Sequence, residues 1–192
     1  ADSQGLLALA IIGFYGALFH TVNHALFKSL LFLNAGSMLY ATGTQDLNRL
    51  GGLMKYMPLT AITALVASFS IAGVPLFNGF ASKWSLYVAA ILGSRHVGYL
   101  ALCGIFGIVT SALTLASFMK FFGLSFLSRT STLVLNKAAA EGKLEVKPTM
   151  QLPQVLLALL CLALGLVPGI AYYFMQQALA GLILPDTVTR LP

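Results

Sequence analysis

Charge is what this sequence has least of. Only 8% of its 192 residues are Asp, Glu, Lys or Arg, while 58% are hydrophobic; a soluble domain carries about 25% charged residues. With a mean hydropathy of +0.89, the composition excludes an ordinary soluble enzyme and identifies an integral membrane protein. Acid is scarcer still, five Asp and Glu against eleven Lys and Arg, for a net charge of +6. That modest excess falls largely between apolar segments, so it reads as loop charge rather than a nucleic-acid surface, and no nucleic-acid partner is expected. Cysteine is nearly missing: Cys103 and Cys161 each sit inside an apolar segment, with no CxxC and no ligand spacing for an iron–sulfur cluster or a disulfide framework. A P-loop and a GxGxxG after a strand are also missing, so no redox or nucleotide site, cofactor or metal is expected in this chain. It opens ADSQ, without Met and without a basic n-region, which suggests part of a longer polypeptide or a processed one.

What the sequence has is long apolar runs. A membrane-spanning helix needs about 20 apolar residues, and five segments qualify as transmembrane helices, at about 5–41, 59–73, 81–94, 98–127 and 153–184. The first exceeds one crossing and is expected to tilt, kink or project. Residues 128–151, RTSTLVLNKAAAEGKLEVKPTMQ in their main part, form the one strongly polar stretch and read as a solvated loop. Alternating crossings put Arg49, Lys55, Arg95 and Arg190 on one side and Arg129, Lys137, Lys143 and Lys147 on the other. The positive-inside count is then a tie.

Within the first apolar run stands HTVNHALFK, with His20, His24 and Lys28 at i, i+4 and i+8. On a helix these form a single stripe, with Asn23 toward its edge. An unpaired Lys at the bilayer centre costs about 2.5–3.5 kcal/mol, so the stripe is expected to face protein or water. Three readings fit it. The polar groups could be hydrogen-bond glue between helices, with Lys28 snorkelling. HTVNH has the spacing of a helical zinc pair, but lacks the Glu of HExxH and shows no third ligand. The third reading is a proton relay. Burial disfavours the charged form of Lys and His, His titrates near neutrality, and one-turn spacing lets single waters bridge neighbours.

A second lysine supports the relay. In AGVPLFNGFASKW, Gly73, Pro75 and Gly79 break the helix just before Lys83. Such breaks at membrane depth survive only where protein or a water-filled cavity satisfies the freed backbone, and transporters place ion sites there. Lys120, in SFMKFFG near a helix end, suits either snorkelling or a place on the path.

The ordered pattern HxxxHAxFKxxLFLxAG, DxxxLGGLxKxMP and PxxxGFxSK, over about residues 14–90, resembles the proton-conducting antiporter-like membrane subunits of complex I, Mrp-type antiporters and energy-converting hydrogenases. PLFNGFASKW and MQLPQVLLALLCLALGLVPG look most like the large membrane subunit of hydrogenase-4 and formate hydrogenlyase. Lys83 stands where some members of that group carry Glu. The resemblance implies an all-α fold of about fourteen transmembrane helices built on two inverted repeats. This chain would supply most of the second repeat, with one broken helix. It also implies that His20, His24, Lys28 and Lys83 relay protons, with Asn23 and Lys120 as possible members of the path. The complex would be redox-driven, its iron–sulfur, nickel–iron or quinone chemistry lying in partner subunits. The alternatives are an Mrp-type Na⁺/H⁺ antiporter subunit or a non-conducting scaffold. Expected partners are lipid, other membrane subunits of a respiratory or hydrogenase complex, and the missing N-terminal half or a split partner chain. The expected location is the inner (cytoplasmic) membrane of a prokaryote.

Overall fold

A computed structural model describes residues 3–182 of the chain, which are helical almost throughout. The elements are α1 (Ser3–Thr42), two 3₁₀ turns (Leu47–Arg49 and Leu53–Lys55), α2 (Pro58–Ala72), α3 (Asn78–Gly93) and α4 (Tyr99–Phe122), which runs on as a π-turn (Gly123–Leu127). They are followed by α5 (Thr132–Glu141), α6 (Pro148–Leu166) and α7 (Pro168–Leu182). α1, α4 with its π-turn, and α6 are each long and apolar enough to cross a membrane. At 40 residues and 1.5 Å per residue, α1 is about 60 Å long, roughly twice the hydrocarbon core.

The sequence predicts separate crossings over 59–73 and 81–94, but in the structure α2 and α3 are two halves of one. Asn34 of α1 meets Thr63 of α2, and farther back along α1 Asn23 meets Asn78 and His20 meets Ser82, both on α3. The two half-helices thus run end to end, antiparallel to α1. Gly73 ends α2 in the left-handed region (φ 79°), its amide on the carbonyls of Phe69 and Ser70; glycine adopts that conformation without a Cβ penalty. Pro75 follows, then Leu76 at φ 77°, a conformation that costs a non-glycine residue about 1–2 kcal/mol. Phe77 is extended, and α3 begins at Asn78, three residues earlier than the sequence suggested. Gly79 therefore lies in the first turn of α3 rather than in the break. A Cβ there would fall on the Ser70 carbonyl, so this glycine is what lets the two half-helices meet.

Counting one crossing instead of two moves the loops. Arg49 and Lys55 now share an end of the bundle with the 128–147 segment, because Gly51 and Gly52 pack directly on Arg129 and Thr130. Among the described residues this end carries Arg49, Lys55, Arg129, Lys137, Lys143 and Lys147, and the far end carries Arg95. The tie is replaced by a strong imbalance; Arg190 lies outside the described residues.

Two further expectations change. The polar segment 128–151 holds α5, whose Ser131 caps the Val134 amide. Its Val134, Leu144 and Val146 are buried with Leu50, Leu53, Met57 and Phe126, closing that end of the bundle. Glu145, between the two buried residues of an extended stretch, accepts from the Leu59 amide (2.9 Å) and the Thr60 hydroxyl (2.6 Å). α2 begins with Pro58 and has no side-chain cap of its own, so this carboxylate serves the helix's unpaired amides and its dipole. The fifth helix, expected over 153–184, starts earlier, at Pro148, and stops at Val167. Pro168 disfavours helical backbone at the residue before it and opens α7 instead.

Candidate functional site

The buried face of α1 is Phe19, Asn23, Phe27, Leu30 and Asn34, spaced at three and four residues as a core stripe requires. His20, His24 and Lys28 each follow one residue after a buried position, about 100° around the axis. They lie on the flank of the packed face and do not turn inward together, as the sequence reading expected. His20 and Lys28 are half-buried, and His24 is exposed in the described chain. The aromatic rings stay close: His20 and His24 have centroids 6.1 Å apart, and His24 stands edge-on to Phe27 at 5.4 Å.

His20 is the member of the stripe that reaches the broken helix. Its Nδ1 lies 3.0 Å from Ser82 Oγ, and Ser82 is followed directly by Lys83. Lys83 turns back along the break and donates from Nζ to the Ile71 carbonyl at 2.8 Å. That carbonyl belongs to the last turn of α2, where the helix has unpaired acceptors and the negative end of its dipole. Gly73 makes room for the lysine, since a Cβ there would stand 3.0 Å from Lys83 Cδ.

Asn23 is fully buried and committed to packing. Its Nδ2 donates to the Asn78 carbonyl (2.8 Å), and its Oδ1 accepts from Asn78 Nδ2 (3.1 Å). This pair pins α3's first turn to α1. The break also carries unmet valences: Ser70 Oγ and Asn78 Oδ1 are buried without a hydrogen-bond partner. The Cys161 thiol of α6 lies beside both without closing a bond of good geometry to either. Lys120 is exposed in the last turn of α4, and no described contact joins it to the His20–Lys83 group. Among the described residues no three His, Cys, Asp or Glu side chains converge as a metal site would require.

Sequence reasoning missed Ser82, although it precedes Lys83 directly and follows Asn78 by one turn. It also missed a second polar cluster nearer the basic end. There Thr63 donates to Asn34 Oδ1 (2.8 Å), Gln154 Nε2 to Ser37 Oγ (2.6 Å), and Asn34 Nδ2 to the Leu30 carbonyl (2.9 Å). All four side chains are buried and join α1, α2 and α6. Asn34 and Ser37 continue the Asn23–Phe27–Leu30 stripe at helical spacing, a signal that could have located them.

Three comparisons bear on the chain. The sequence profile of the family described as NADH:quinone oxidoreductase/Mrp antiporter, TM, matches residues 4–114. Hydrogenase-4 component B of Escherichia coli is 37% identical over 163 residues, covering 82% of this chain and 24% of that protein. Na(+)/H(+) antiporter subunit A1 of Staphylococcus haemolyticus is 36% identical, covering 84% and 20%. Formate hydrogenlyase subunit 3 of E. coli is 35% identical, covering 82% and 26%. The chain thus spans about a quarter or less of the curated relatives it matches. Among solved structures, the archaeal membrane-bound sulfane sulfur reductase matches with a TM-score of 0.68 and 30% identity, over 80% of this chain and 24% of the other. The Mrp complex of Dietzia sp. DQ12-45-1b shares the fold with a TM-score of 0.70 at 24% identity, over 83% and 36%. These relatives are subunits of multi-subunit membrane complexes.

Proposed function

Since the chain belongs to the NADH:quinone oxidoreductase/Mrp antiporter transmembrane family, we propose that it supplies one part of a proton path in an antiporter-like membrane subunit. The observation that carries this reading is the pair of contacts at the break between α2 and α3: His20 on Ser82, and the next residue, Lys83, on the Ile71 carbonyl. An imidazole can take a proton on one ring nitrogen and release one from the other. A serine hydroxyl can accept one proton while donating its own. Lys83 holds its proton against a half-helix C-terminus; deprotonation removes the charge–dipole contact to Ile71 and frees that carbonyl. His24 and Lys28 extend the row along the α1 flank at one-turn intervals, close enough for water to bridge. Their exposed side is then covered by the remainder of the subunit or by a partner chain, because a cationic row facing lipid would be costly.

The gathering of six cations at one end of the bundle assigns that end to the cytoplasm by the positive-inside rule, in the inner membrane of a prokaryote. The redox-driven reading places iron–sulfur, nickel–iron or quinone chemistry in partner subunits, as in a hydrogenase or respiratory complex. The second reading, an Na⁺/H⁺ antiporter subunit, rests on comparable identity to antiporter subunit A1. Co-purifying chains separate the two: iron–sulfur and hydrogenase subunits favour the first, small antiporter subunits the second.

The direct test is Lys83→Met in the full-length subunit within its purified complex, reconstituted in vesicles with a pH-sensitive dye. Proton transfer should fall by about a hundredfold or more, the range typical of losing a positioned proton-transfer group, while subunit composition stays intact. Unchanged transfer with normal assembly overturns the reading.

A further inference from the structure

We propose that the basic end of the bundle holds the phosphate headgroup of an anionic phospholipid, in the cavity between the 52–55 turn and the π-turn that ends α4. The cavity, about 590 Å³ and open to the outside, is lined by Lys55 and Arg129 together with Met54, Leu127, Ser128 and Thr130, with no acidic side chain in its wall. Both cations are exposed around it. Ser128 donates its hydroxyl proton to the Leu124 carbonyl, so the side-chain donors left for a phosphate are Lys55, Arg129 and the Thr130 hydroxyl. An arginine fork with a neighbouring ammonium suits a phosphodiester well.

The fold builds this cavity deliberately. Gly52 sits at φ 65°, and a Cβ on it would meet Thr130; a Cβ on Gly51 would meet the Arg129 carbonyl. Two glycines are therefore required for the 128–130 segment to lie against the 51–55 turn, which brings Lys55 and Arg129 into the wall of one cavity. The helix above widens into a π-turn at this point, Gly123–Leu127, a feature that recurs at functional positions.

Depth and surroundings select a lipid over a soluble anion. The site lies at the very end of a segment, Tyr99–Leu127, that is long and apolar enough to span the bilayer, which is headgroup level. Leu127 at the cavity mouth is 61% exposed, and Met54 and Leu135 in its wall are exposed too, an apolar rim against which an acyl chain can lie. Basic pockets between helices on the cytoplasmic side are the recognised setting for anionic headgroups.

Native mass spectrometry of the purified complex, with phosphatidylglycerol, phosphatidylcholine or inorganic phosphate added separately, tests this. Phosphatidylglycerol adducts should persist on the unaltered complex, and phosphatidylcholine adducts should not. The paired change Lys55→Gln and Arg129→Gln should reduce retained phosphatidylglycerol by roughly tenfold or more, given the strength of each cation at a membrane surface. The arginine-for-lysine and lysine-for-arginine pair, which keeps the charge and the fold, should restore most of it. Lys143→Gln with Lys147→Gln removes equal charge from the same end outside the cavity and should leave binding intact. Equal loss in that control overturns the site in favour of diffuse attraction, as does unchanged retention in the first pair. Displacement of the lipid by inorganic phosphate overturns it in favour of a bare anion site.

Discussion

Two polar clusters sit on the same face of α1, eleven residues apart at Asn34 and Asn23, and they are built on opposite rules. The Asn34–Ser37–Thr63–Gln154 cluster is closed: its side chains are buried and bonded to one another or to backbone carbonyls. The cluster at the break is open: Ser70 Oγ and Asn78 Oδ1 lack partners, His20 is half-buried, and His24 is exposed. A closed network in a low-dielectric interior rigidifies a seam and leaves no valence for a proton to use. An open one is costly to keep, since each unmet buried group forfeits about 1–3 kcal/mol, and membrane proteins keep such groups where chemistry requires them. The contrast tells the two clusters apart where residue type alone does not, because both contain asparagine and hydroxyl side chains.

Three substitutions would break or sharpen that contrast. The largest effect is expected at Gly79, where α3 touches the Ser70 carbonyl. Gly79→Val overpacks the junction by about 3 kcal/mol, and immunoblots of membrane fractions should show the subunit strongly depleted. Near-normal abundance would mean that the half-helices do not need to meet. Next comes Gln154→Leu in the closed cluster. It should destabilise by about 1–3 kcal/mol, through the loss of its bond to Ser37, while proton transfer per assembled complex stays unchanged. A transport defect at normal assembly would place the closed cluster on the path and erase the distinction. The smallest change is at Leu76, whose side chain is 66% exposed and whose backbone is at φ 77°. Leu76→Gly should relieve about 1 kcal/mol of strain and raise the thermal midpoint of the purified complex slightly, provided the strain is not used in turnover.

Much of this was legible in the residues. The apolar runs announced helices, and Gly73 with Pro75 announced the break, because glycine and proline act through backbone geometry that needs no tertiary context. Lys83 was legible because a charge among apolar residues demands explanation. What was not legible is which stripe of α1 faces inward. Phe19–Asn23–Phe27 and His20–His24–Lys28 have the same period and lie only about 100° apart, and in a membrane the polar stripe need not be the outer one. The end-to-end stacking of α2 and α3 was hidden because each half, at 15 and 16 residues, looks like a short crossing. That miscount displaced every charge after it. The inward residues of 128–151 were masked by the abundant Lys and Glu around Val134, Leu144 and Val146. Glu145, which looked like one more loop charge, caps a helix more than eighty residues away.

The path of α6 has a mechanical consequence. Near its start, Glu145 grips the first turn of α2 and Gln154 joins Ser37; at its end, Gly165 lies directly on the backbone of Leu76 and Phe77. α6 therefore runs as a splint from the beginning of α2 to the fracture below it. α3 is anchored as well, through the Asn23–Asn78 pair to α1 and through Ser85 to Tyr172 of α7, so neither half of the broken helix is a free lever. What lies between the two anchored halves is the short 73–77 turn beside Lys83, and it is the segment of the break with the fewest helical bonds to lose.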